Sequence, residues 1–221
     1  MRTWYSPTLW RGFELVFRPW MRRRLDGVHV RGVENAAWLP AMPVMLVANH
    51  VSWWDGFLLR EVHRLLRPDA PLHVVMLEAE LRRTPLFRGM GAVPLGPGPM
   101  AARALATDLA RRLGRRPDAV VGFFPQGRIW PAHRRPLGFR RGASWLAGRL
   151  VPIAIVPVGL HLEHLTRPGA AAFVSVGSPL VVRDAIEPAR IEDAVAARVD
   201  EILAFLCQHG EDSRDRWAEA A

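Results

Sequence analysis

Short apolar runs separated by longer amphipathic stretches constrain this chain more than any other property. Val44 to Ala48, Leu72 to Leu77, Ala119 to Phe124, Val151 to Val158 and Ala172 to Val176 are almost wholly apolar and of strand length. Between and after them, Asp55 to Arg67, Met100 to Leu113, a segment within Leu137 to Leu150, and Glu187 to Gln208 have helical periodicity. Strands buried on both faces and alternating with helices give an α/β fold: a mixed, largely parallel sheet flanked by helices. Ala92 to Leu95 adds a short strand, and the alternation of Val28 and Val30 with His29 and Arg31 predicts a short edge strand. Pro152 and Pro157 argue against an interior ladder position, so the strand carrying them is expected to be interrupted, near an edge, or bordered by a loop.

The first central run leads directly into Asn49-His50-Val51-Ser52-Trp53-Trp54-Asp55. Strand exits are where α/β enzymes keep their chemistry. Positions five apart on a regular helix point about 140° apart, so His50 and Asp55 can meet only across a strand-to-helix turn. Across such a turn Asp55 can hold one ring nitrogen of His50 and leave the other free to take a proton from an alcohol. The spacing alone is weak: eight His and ten Asp in 221 residues give about 0.4 such pairs by chance. Phe124-Pro125-Gln126-Gly127 leaves a second apolar run in the same way, so two strand exits are expected to face one cleft. A glycine at 127 permits positive φ, and its amide is a candidate donor to a developing oxyanion.

Together these segments resemble the PlsC-like glycerolipid acyltransferases. That family's first motif is N-H-x-x-x-x-D, and Gly91-Ala92-Val93-Pro94-Leu95 is similar to its second. Phe124-Pro125-Gln126-Gly127 resembles its F-P-E-G, and Val151 to Val158 its fourth, V-P-I-x-P-V. Phe139, Gly142 and Ala147 fit a segment that follows the third motif. The resemblance implies transfer of an acyl group from a thioester, on coenzyme A or acyl carrier protein, to a hydroxyl of a lipid acceptor. It further implies His50 as general base, Asp55 as its orienting partner, and Asn49, Ser52, Gly91, Phe124, Pro125, Gln126, Gly127 and Arg128 as substrate-binding positions. No cofactor is expected beyond the donor substrate.

Two arginines of the family pattern are missing. Gly96-Pro97 stands where Asp-Arg is usual, and Arg128-Ile129 stands where Thr-Arg is usual. Hydrogen bonds to charged groups contribute about 1.5 to 3 kcal/mol each, so a non-phosphorylated lipid is the expected acceptor and lysophosphatidate the alternative. Gln126 in place of glutamate suits hydrogen bonding to hydroxyls better than proton transfer. Ser52 lies two residues from His50, but no G-x-S-x-G elbow accompanies it, so direct transfer without an acyl-enzyme is expected. The His161-Leu162-Glu163-His164 run has neither zincin spacing, and no metal is expected.

A formal charge of +9, with all 30 basic residues arginine, calls for an anionic partner. The cluster Arg18, Arg22, Arg23 and Arg24 follows an aromatic segment. On a helical wheel Leu9, Trp10, Phe13, Val16, Phe17, Trp20 and Met21 share one arc, with Arg11, Glu14, Arg18, Arg22 and Leu15 off it. Residues 1–26 are therefore expected to form an amphipathic membrane-contacting helix, broken or kinked at Pro19, ahead of an acyltransferase domain at 27–209 and a polar, frayed tail at 210–221. No apolar run reaches 18 residues, and no signal-peptide core is present, so a peripheral position on the cytoplasmic face of the membrane is expected. Cys207 cannot form an intrachain disulfide and reads as a small core residue. A non-enzymatic basic protein binding membrane or nucleic acid is the other class of reading, but no nucleic-acid-binding signature supports it.

Overall fold

In the computed structural model, residues 3–40 and 42–219 are described. The outermost residues of both predicted end segments, 1–2 and 220–221, lie outside them. In chain order the elements are α1 (Pro7–Arg24), β1 (Leu25–Arg31), α2 (Glu34–Ala37), β2 (Val44–Ala48), α3 (Asp55–Leu66), β3 (Leu72–Leu77), α4 (Glu78–Arg83) and β4 (Val93–Leu95). There follow α5 (Gly98–Arg115), β5 (Val120–Phe123), α6 (Gly142–Arg149), β6 (Ile153–Glu163), β7 (Ala170–Val176), β8 (Leu180–Val182), α7 (Pro188–His209) and α8 (Ser213–Glu219).

The strands form one mixed sheet in the order β1-β7-β6-β2-β5-β3-β4, with β8 also paired to β6. The pairs β6-β2, β2-β5, β5-β3 and β3-β4 are all parallel, so these strands end on the same edge of the sheet. Both faces are covered, which is why the central strands read as unbroken apolar runs. Met45 and Val47 pack with Leu109, Leu146 and Val195 on one side. Val44, Leu46 and Ala48 pack with Leu58, Leu59 and Met21 on the other.

Four expectations need correction. The proline-bearing strand β6 is interior, not at an edge. Along β6 the peptide groups alternate sides: Ala154 donates to Pro43 beside β2, while the Pro157 carbonyl accepts from Gly177 on the other flank. The missing N–H of Pro157 therefore points to the flank where β8 pairing stops at Ile155 and β7 pairing begins at Val158, so no ladder bond is lost. Pro19 does not end α1, which runs on to Arg24 with Ser6 capping its start and Pro7 in its first turn. The chain after Gly210 is not frayed but helical: Trp217 is fully buried against Phe173 and Phe205, with Arg31 over its ring at 3.7 Å. Cys207 is exposed rather than in the core.

The aromatic arc of α1 turns inward. Trp10 and Met21 are buried, the Trp10 indole donates to the Met90 carbonyl, and Phe13 and Phe17 stack on Phe57 of α3. Ion pairs from Arg60 to Glu14 and from Arg18 to Glu61 reinforce the same contact. Packing onto its own domain consumes Trp10, Phe13, Phe17 and Met21 of the side that the sequence assigns to a membrane and leaves Val16 and Trp20 of that side exposed. No helix among the described residues is long and apolar enough to cross a membrane.

Candidate active site

The chain leaves β2 at Asn49 and must turn before α3 can start at Asp55. Asp55 itself builds that turn. Its buried carboxylate accepts from the Val51 amide at 2.6 Å, the Ser52 amide at 2.9 Å and the Ser52 hydroxyl at 2.5 Å. Short polar side chains hold turns in this way, and a carboxylate at a helix start is favoured by the helix dipole. The same carboxylate meets His50 Nδ1 at 2.7 Å. The His50 side chain is 25% exposed, and among the described residues its Nε2 has no hydrogen-bond partner. The ring is also held from one face, where Phe124 stacks on it with centroids 4.6 Å apart.

Parallel pairing of β2 with β5 aligns Val47 with Phe123, so the two exits stand side by side. Gln126 ties them: its Oε1 accepts the His50 amide at 2.5 Å and its Nε2 donates to the Leu137 carbonyl at 2.8 Å. The His50 carbonyl in turn accepts the Trp130 amide at 2.8 Å. On the other flank Asn49 extends the β2-β6 pairing with its side chain, donating to the Leu160 carbonyl and accepting the Leu160 amide, both at 2.8 Å. Leaving those two Leu160 groups unpaired would cost about 1–3 kcal/mol each.

Several expected substrate contacts are thereby reassigned. Asn49 and Gln126 are buried, with both ends of each amide already bonded, so they position His50 instead of touching a ligand. The Gln126 amide suits this place because it faces one donor and one acceptor. Ser52 is committed to Asp55 and to the Trp54 amide, which removes it as a nucleophile. Gly127 does take the positive φ, at 67°, but its amide donates to the Phe124 carbonyl at 3.1 Å in a tight turn and does not face a developing oxyanion. Pro125 is buried, and its carbonyl accepts the Arg140 amide. Gly91 lies at the far end of the sheet. It precedes β4 by two residues and packs on the Leu72 carbonyl where β3 begins, with φ 88° and no room for a Cβ. Residue 96, five positions on and roughly 16 Å further along the strand direction, is the one level with the His50 edge.

The sequence singled out Arg128 on the loop after Gly127, but not Arg134 or Arg140. Arg128 and Arg134 both lie over the Trp130 ring, at 3.9 and 3.4 Å from its centroid, and Arg140 lies over Gly127. Among the described residues none of the three meets a carboxylate, whereas neighbouring Arg135 pairs with Asp200. Arg134 Nη1 is buried without a partner. Two cations on one ring repel each other unless an anion is shared between them. A run of arginines is visible in the sequence; the stacking of two of them on Trp130, whose amide bonds to the His50 carbonyl, is not. The roles of Trp130 and Leu160 are carried by backbone groups and leave no sequence signal.

His63 and His73 are structural. Burial, then the Arg60 charge, pushes His63 down to about 3, and burial, then Arg112, pushes His73 down to about 4; both rings bond to backbone carbonyls.

Comparison with known proteins agrees with this geometry. Residues 27–161 match the Acyltransferase family. Among solved structures, the 1-acyl-sn-glycerophosphate (LPA) acyltransferase PlsC from Thermotoga maritima has the same fold, with a TM-score of 0.56 over 80% of this chain and 73% of that one, at 23% identity. No match is found among curated proteins.

Proposed function

Starting from a chain that belongs to the acyltransferase family, we propose that it moves an acyl group from a thioester, on coenzyme A or an acyl carrier protein, to a hydroxyl of a lipid at a membrane surface. The observation that carries this reading is the His50–Asp55 pair at the exit of β2, with Nε2 turned to the open side. In the proposed reaction His50 Nε2 takes the hydroxyl proton as the oxygen attacks the thioester carbonyl. Asp55 stabilises the imidazolium. The C–S bond then breaks, and the departing thiolate recovers the proton from His50. General-base assistance of this kind is worth about 10² to 10⁴ in rate, and holding both substrates in one cleft supplies much of the rest.

For the acceptor, the unpaired Arg128, Arg134 and Arg140 favour a phosphate-bearing lipid of the lysophosphatidate type, which reverses the preference drawn from the two missing motif arginines. The likeness to an LPA acyltransferase points the same way. The non-phosphorylated reading keeps one observation in its favour. Glu78 lies beside Gly96, where its carboxylate, paired with Arg82, leaves no free cation among the described residues for an anion.

The test measures thioester consumption and product mass with lysophosphatidate and with a glycolipid. The wild-type protein is expected to prefer lysophosphatidate, and His50→Ala to lose at least about a hundredfold in kcat with both acceptors while keeping its circular dichroism spectrum. Retained turnover in His50→Ala removes the base from its role, and a clear glycolipid preference restores the neutral acceptor.

A further inference from the structure

The loop that carries Arg128 and Arg134 has no helix or strand of its own, since β5 ends at Phe123 and α6 starts at Gly142. Its shape is held from α7. Glu192 accepts the Gly138 amide at 2.8 Å with one carboxylate oxygen and the Phe139 amide at 3.1 Å with the other. Further along the helix Asp200 accepts from Arg135 Nε at 3.1 Å, while Arg135 Nη1 donates to the Ala132 and Arg134 carbonyls at 2.9 and 2.8 Å. Arg135 therefore closes the turn that presents Arg134 and ties that turn to α7. A Cβ on Gly138 would lie 3.3 Å from Arg134 Nη2, so the Arg134 guanidinium, already over Trp130, also packs on the backbone that Glu192 holds.

Glu192 and Asp200 are about 12 Å apart along the helix and roughly 80° apart around it, so both can face one loop. The helix is itself fixed: Ile191, Val195, Val199 and Ile202 are buried along the stripe that adjoins these carboxylates. Glu192 bonds to backbone amides and Asp200 to Arg135, which leaves the two arginines on Trp130 without a carboxylate among the described residues.

We infer that Glu192 and Asp200 are positioning residues for anion recognition: through the loop backbone and Arg135 they set Arg128 and Arg134 on Trp130 before a phosphate group arrives. Order established on folding is not lost again on binding, so a preset receptor binds more tightly than a loose one. The sign of the effect separates this role from plain electrostatics. Removing negative charge near an anion site strengthens anion binding, whereas releasing a clamp weakens it. An ion pair as exposed as Arg135–Asp200, with the Asp200 side chain 60% exposed, contributes little to global stability, so its loss is read in the loop and not in the fold.

The inference deepens the reading that the acceptor bears a phosphate and rests on it. The test combines Glu192→Gln with Asp200→Asn in the full chain. It measures KM for lysophosphatidate and for a glycolipid, and by calorimetry the binding of glycerol 3-phosphate, the headgroup alone. The double variant is expected to raise KM for lysophosphatidate and Kd for glycerol 3-phosphate about five- to tenfold, with kcat, glycolipid KM and the circular dichroism spectrum little changed. Asp200→Glu, which can still pair with Arg135, should behave as wild type where Asp200→Asn does not. Asp193→Asn removes a charge from the same helix that meets no cation among the described residues, and it should leave both constants unchanged or lower them. Unaltered or tighter phosphate binding by the double variant overturns the inference. An equal loss on both acceptors does so too, because the clamp would then serve the fold alone, and a wild type that binds no glycerol 3-phosphate removes the receptor and its clamp together. If no acceptor is turned over by any form while glycerol 3-phosphate binding still weakens in the double variant, the acyl-transfer reading fails and the clamp stands.

Discussion

The turn at 49–55 and the loop at 127–141 stand next to each other and are built in opposite ways. In the turn, the side chains of Asn49, Ser52 and Asp55 are all bonded to neighbours, and only Nε2 of His50 is left over. In the loop, Arg128, Arg134 and Arg140 meet no carboxylate among the described residues. The difference follows from the tasks proposed for them. Proton transfer fails when the base is misplaced by a fraction of an ångström, so its support is locked. Recognition of a headgroup works through long cationic arms that can adjust to it.

If the turn holds a charge and not merely a shape, Asp55→Asn is the sharpest way to break the comparison. An asparagine oxygen can take the place of Oδ2, which accepts from both amides and from His50, and its amide nitrogen can donate to a reoriented Ser52 hydroxyl. The fold should survive. Turnover should fall by about 10² to 10⁴ with KM little changed. A variant of wild-type kcat would show that Asp55 acts only as a scaffold.

The loop should respond in KM instead. Replacing Arg128 and Arg134 together by alanine is expected to raise KM for a phosphate-bearing acceptor by roughly one to two decades and to leave an uncharged acceptor unaffected. Equal losses on both acceptors would mean that the stack on Trp130 supports the loop's shape.

The smallest effect is expected at Gln126, which joins the two regions. Gln126→Glu keeps the bond to the His50 amide but sets a carboxylate oxygen against the Leu137 carbonyl. It should destabilise the fold by about 1–2 kcal/mol, read as a lowered Tm. A rise in Tm would instead assign that place to a charge.

Much of this was legible beforehand. The bounds of β2 and β3 agree with the sequence reading, and β5 differs by one residue at each end, because strands buried on both faces leave unbroken apolar runs. The pairing of His50 with Asp55 was legible for a related reason: the turn is local, and the groups that shape it lie within five residues of one another. Misreadings fall where distant contacts decide. A helical wheel finds an apolar arc in α1 but not whether Phe57 or a lipid will cover it. Polar composition hides Trp217, which by itself ties the tail to Phe173 and Phe205. Gly91 matches a motif yet lies at the far end of a strand whose other end holds the site.

The sequence by itself determined the succession of strands and helices along the chain, the strand-to-helix turn and the histidine that turn presents, since each depends on neighbours a few residues away. Only the tertiary structure decided that Asn49 answers Leu160, that Gln126 holds the His50 backbone, that Arg128 and Arg134 share the Trp130 ring, and which side of α1 is left exposed. Those partners are separated by tens of residues along the chain, and their meeting depends on the register of parallel strands and on competition between packing surfaces. No local pattern encodes either.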